Sequence, residues 1–87
     1  MENLDSLDFF KAHILNAIKH NLIETAFNIY KINIGANEKI LSLEMRFNSL
    51  KDDEINMNDR EFRREKTLIV EEFIRLVNGL NNITKIY

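Results

Sequence analysis

Two histidines, three serines and a few clusters of charge are the side chains in this sequence that could do chemistry. His13 and His20 lie seven residues apart, two turns along a helix, so they share a side without sharing a coordination sphere. A transition metal needs three or four converging ligands, and with no cysteine and no neighbouring carboxylate to complete a set, surface histidines are the reading. Ser6, Ser42 and Ser49 have no histidine and acid beside them to activate a hydroxyl, and no GxSxG elbow or phosphate-cradling loop occurs. Asp52, Asp53 and Glu54, like Glu71 and Glu72, are spaced by one or two residues and so point away from each other on a helix. They read as solvated charge. The run Arg60, Arg63 and Arg64 resembles a phosphate patch until Asp59, Glu61 and Glu65 are counted, which neutralise it within a turn. Ion pairs at i,i+3 and i,i+4, worth about 0.2–0.5 kcal/mol each, are the expectation there. These residues point to no enzyme: no catalytic group, no metal, no cofactor and no small-molecule substrate. A binding module is expected.

Composition narrows the partner. Twelve Lys and Arg against fourteen Asp and Glu give a net charge of −2, with the signs interleaved, so no basic field exists to hold a nucleic-acid backbone. The opening MENLDSLDFF is acidic and lacks the basic start and apolar core of a signal peptide, and no apolar run approaches the roughly 18 residues of a membrane span. A cytoplasmic protein with no membrane partner is expected. Eighty-seven residues make one domain, which buries only about 60–65% of the surface of its unfolded chain. Its stability then falls at about 4–13 kcal/mol, so a few buried residues decide whether it folds.

The elements that must position any site are all helical in period. Proline is absent, and Gly35 and Gly79 are the only glycines, so nothing before the last residues reads as a linker. The spacing predicts an all-α four-helix bundle of two antiparallel hairpins, with helices over about 6–19, 22–34, 37–53 and 58–79 and a frayed tail over 80–87. The last helix is the spine. Asn58 and Glu61 form a capping-box pattern, Met57 and Phe62 a hydrophobic staple, and Gly79 offers a left-handed closure. Its inner stripe is Phe62, Ile69, Phe73, Leu76 and Leu80. Asp5 or Ser6 is expected to cap the first helix, whose stripe is Leu7, Phe10, Ile14 and Ile18 with Ala17. Asn21, with Glu24, is expected to open the second, which buries Ile23, Ala26, Phe27, Tyr30 and Ile34. Ile40, Leu43, Phe47 and Leu50 form the seam of the third. Alternation of apolar residues between Ile29 and Gly35 admits a strand, but no second segment has a period of two to pair with it, so it is read as helix.

Seven apolar residues fall off these stripes: Phe9, Ile29, Ile32, Leu41, Met45, Leu68 and Ile74. That is more than a thin core needs. The contact surface is therefore expected at Leu41 and Met45 with Leu68, Ile74 and Phe9, rimmed by Arg64, Glu71 and Arg75.

Three segments carry a family likeness. ILNAIKHNLIETAFNIY has a helix, a short turn and an "x-E-x-A" second helix at Glu24 and Ala26; NEKILSLEMRFNSLKDDEINMNDREF has an Asn-led helix with Asn37, Leu43, Arg46 and Leu50; TLIVEEFIRLVNGL is a terminal apolar run. In this order the chain resembles, over residues of about 10 to 80, the bacterial effector-associated domains of the eleventh type. Where relatives show Arg-Asn before the last apolar run, this chain has Lys66-Thr67. The resemblance implies a death-fold-like adaptor of bacterial conflict and antiphage systems. Such modules are fused to peptidases, nucleases, TIR domains or sensor NTPases and pair with a like domain, so a homo-oligomer or a pair of related domains is expected. Met1 and the trailing NNITKIY fit an N-terminal module of a longer protein. The alternative is a small regulatory subunit, an antitoxin or enzyme inhibitor, that binds an unrelated protein and does not self-pair.

Overall fold

The computed structural model describes the backbone of residues 2–80 and the side chains of residues 7–80, so the expected fraying of the tail beyond Leu80 lies outside the described residues. Four α-helices follow one another: α1 (Glu2–Lys19), α2 (Ile23–Asn33), α3 (Glu38–Asp52) and α4 (Asp59–Asn78), with a single 3-10 turn, Glu54–Asn56, between the last two. Among the described residues there is no strand, and the fold is all-α. The segment whose alternation admitted a strand is helical through Asn33. Each helix packs on its neighbours in chain order and α4 returns to α1, which leaves α1 across the core from α3 and α2 across from α4. The short links make successive helices antiparallel, and the result is a helical bundle.

The helix ends show where side-chain chemistry decides a boundary. The Asn58 side chain accepts a hydrogen bond from the Glu61 N–H at 2.8 Å, and Asn37 accepts one from the Ile40 N–H at 3.0 Å, so α4 and α3 start where an amide oxygen satisfies an orphan donor. Two expected caps are wrong. α1 begins at Glu2 rather than at Asp5 or Ser6: neither Pro nor Gly interrupts the segment, and acidic residues favour a helix N-terminus. Asn21 does not open α2 but closes α1. Its φ is +64°, its N–H bonds to the Ile18 carbonyl, and the Leu22 N–H reaches back to the Ala17 carbonyl at 2.8 Å, the paired bonds of a left-handed helix closure. α2 then starts from Leu22 without a side-chain cap. Asparagine tolerates the left-handed region better than other side chains, which is why one residue suits either role on paper.

The glycines divide in the same way. Gly35 has φ +139° and ends α2 in a conformation that other residues adopt only with strain. Gly79 stays right-handed at φ −72°, and its N–H bonds to the Arg75 carbonyl, so the expected left-handed closure of α4 does not occur.

The inner stripes meet as one core. Ile14, Ala17 and Ile18 of α1 face Ile23, Ala26, Phe27 and Tyr30 of α2, and the other hairpin contributes Ile40, Leu43, Phe47 and Leu50 with Ile69, Phe73, Val77 and Leu80. At the centre Phe27 stacks on Phe73 across the bundle, centroids 4.5 Å apart and planes 8° from parallel. Phe47 lies 5.9 Å from Phe27, and Tyr30 meets Phe73 edge-on at 6.1 Å. Leu7, Phe10, Ile34, Phe62 and Leu76 are only half-buried, whereas Val77, absent from the predicted stripe, is fully enclosed. The true stripe of α4 is turned toward Phe73 and Val77 and away from Leu76. No polar or charged side chain is buried among the described residues.

Candidate interaction surface

The groups that could do chemistry are spread out. His13 is exposed and stacks nearly flat on Phe9, centroids 5.6 Å apart, and His20 is exposed at the end of α1. Ser42 and Ser49 are on α3, across the bundle from these histidines. No three His, Asp or Glu among the described residues converge to hold a metal ion. Arg60, Arg63 and Arg64 are exposed, and the ion pairs expected within their helix are not found among the described residues. The pairs that do form run between helices.

Among the described residues, three pairs form and all converge on α3. Lys31 Nζ donates to both Glu44 oxygens at 2.9 Å, and Lys51 Nζ donates to Glu24 at 2.8 Å, so two clamps tie α3 to α2. Arg46 donates to Glu72 at 2.7 Å and ties it to α4. Its flanks are committed, and only its outward strip is left open. The Lys51 ammonium is held above the ordinary lysine range, chiefly by the Glu24 hydrogen bond; desolvation opposes this, and the charges of Glu24, Glu54 and Asp52 add to it.

Of the seven apolar residues expected to face outward, Phe9, Ile32, Leu41, Met45 and Leu68 are exposed. Ile29 and Ile74 are not: both are half-buried against the core, Ile74 among the α4 side chains that back it, so Ile74 leaves the expected contact surface. Phe9 leaves it for another reason. It points away from the core on α1, and Met45 points away from the core on α3, on the opposite side of the bundle. What remains is coherent. Arg64, Leu68, Glu71 and Arg75 follow one another at intervals of four, three and four along α4, all exposed, and form one stripe on its outer side, of which Arg75 borders α3. Beside it lies the outward strip of α3 with Met45, 68% exposed, and Leu41 on its shoulder.

Between these strips the surface is hollow. A groove of about 560 Å³ is floored by Leu43 and Leu76 and lined by Lys39, Arg46, Glu72 and Arg75, near the start of α3 and the end of α4. A second hollow, about 400 Å³, follows the same helix pair from Met45 to Met57 and Glu65. No family model, curated protein or solved structure matches the chain. No helix among the described residues is long and apolar enough to cross a membrane.

Two exposed apolar residues escape the sequence pattern. Leu22 follows the left-handed Asn21, and Ile55, 93% exposed, tops the 3-10 turn. A single isoleucine among Asp52, Asp53 and Glu54 has no period to betray it, which is why that segment reads as a plain polar turn.

Proposed function

We propose that this domain is a protein–protein adaptor that pairs with a copy of itself or with a like domain through the outer face of α3 and α4. The reading rests on one observation: Met45 stands exposed on the wall of an α3–α4 groove, and Leu41 and Leu68 are exposed on the same two helices, among charge able to rim a contact. Burying that apolar surface supplies the driving force, and the alternating charges of Arg64, Glu71 and Arg75 supply register. No bond is made or broken. Tethering raises the local concentration of whatever is attached to the domain, and multivalent assembly multiplies the gain.

If the resemblance expected from the sequence holds, the proposed role is that of a cytoplasmic module that brings an effector, a peptidase, nuclease or TIR domain, to a sensor in bacterial antiphage signalling. Light scattering of the 87-residue chain over a concentration series is the test. Mass rising with concentration is the expected outcome. A strictly monomeric chain, as a heterotypic antitoxin or inhibitor would be, contradicts self-pairing.

A further inference from the structure

The two ends of the α3–α4 hairpin are chemically opposite. At the turn, Ile55 projects with 93% of its surface exposed, and Asp52, Asp53 and Glu54 immediately precede it, all exposed. Lys51, the nearest cation in sequence, is engaged with Glu24 on α2. At the other end, the groove near the start of α3 has an apolar floor of Leu43 and Leu76 and a rim of Lys39, Arg46 and Arg75. Among its described lining residues the single carboxylate, Glu72, is neutralised by Arg46 at 2.7 Å, and so Lys39 and Arg75 set the sign of the rim. The turn is a protruding apolar knob in an acidic collar. The groove is an apolar slot in a basic collar, with about 560 Å³ of space, more than an isoleucine side chain fills.

A knob and its complementary slot on one rigid hairpin cannot meet within the same molecule, because thirteen residue steps of α3, from Lys39 to Asp52, roughly 20 Å of rise, separate them. They can meet between molecules. We propose that the Ile55 turn of one copy docks into the Lys39–Arg75 groove of the next, giving head-to-tail assembly. Self-association is the premise here, and this contact deepens it by naming the two surfaces. Such a contact is heterologous, so each copy keeps a free knob at one end and a free slot at the other, and the assembly grows as a ring or a filament. Met45 and Leu68 lie between the two ends of the hairpin, along the line that an incoming copy covers.

Two variants test it. Ile55→Asp removes the knob and keeps the slot, and Lys39→Glu with Arg75→Glu reverses the slot and keeps the knob; all three positions are exposed, and circular dichroism checks that helicity is retained. Each variant alone is expected to be monomeric by sedimentation velocity at concentrations where the unaltered chain assembles. Mixed in equal amounts, they are expected to form a 1:1 dimer and nothing larger, because only one intact knob–slot junction exists in the mixture. Assembly of either variant alone at wild-type strength overturns the head-to-tail contact and leaves self-association standing, through another face. A mixture that stays monomeric overturns it as well, and an unaltered chain that never assembles overturns both.

Discussion

At the scale of single residues, three positions have effects of opposite sign that the helix pattern alone would not separate. Gly35 sits at φ +139° with open space where a Cβ would go, so Gly35→Ala meets no clash and pays only in backbone strain, about 1–3 kcal/mol. Gly79 is right-handed, and an added Cβ finds ordinary contacts at 3.4 and 3.5 Å. Gly79→Ala is therefore expected to stabilise by about 0.4–1 kcal/mol through lost freedom of the unfolded chain. Urea melts of the two variants are expected to move in opposite directions. Phe73 is fully buried and shares contacts with Phe27 and Tyr30, so Phe73→Ala, at about 3–5 kcal/mol, removes much of the stability that a domain of this size has. A melt in which Phe73→Ala costs no more than an exposed-site change would mean that the aromatic stack is not the centre of the core.

At the scale of elements, helix boundaries follow from which residue satisfies the terminal backbone groups. Asn58→Ala and Asn37→Ala each delete a side-chain cap and are expected to cost about 0.5–2 kcal/mol. Asn21→Ala is expected to cost through its left-handed φ, and Asn21→Gly is expected to recover that backbone cost. The Lys51–Glu24 clamp between α3 and α2 has a pH signature. A lysine whose folded value is raised contributes stability that is complete below its unfolded value, near 10.4, and is lost as pH rises through the folded one. The stability gap between the unaltered chain and Lys51→Met is thus expected to narrow in strongly alkaline buffer. Helix number, order and inner stripes were legible because each stripe recurs three or four times at one period. Asn21 was not, because the same amide suits a helix start and a left-handed close. Val77 was missed because Leu76 and Val77 straddle the stripe edge, and only the stacking partners of Phe73 fix how far α4 is turned.

At the scale of the whole molecule, the question is which apolar residues the bundle can hide. The sequence alone could count the surplus but not sort it, since angular position on one helix says nothing about what the diagonal helix presents. The bundle absorbs Ile29 and Ile74, sends Phe9 to the far side, and leaves Met45 on an α3–α4 groove and Leu68 exposed on the outer side of α4. It also exposes Ile55, which no periodicity marks. Met45 is the most exposed apolar residue on the outer strip of α3, so an aspartate there is expected to change stability by no more than about 0.5 kcal/mol while placing charge in the contact. Sedimentation velocity on the chain and on Met45→Asp, each over a concentration series with helicity checked in parallel, decides whether copies pair through the α3–α4 face. Pairing through this face requires concentration-dependent assembly of the chain and a folded, monomeric Met45→Asp. A Met45→Asp variant that assembles like the parent chain, or one that unfolds, would contradict it.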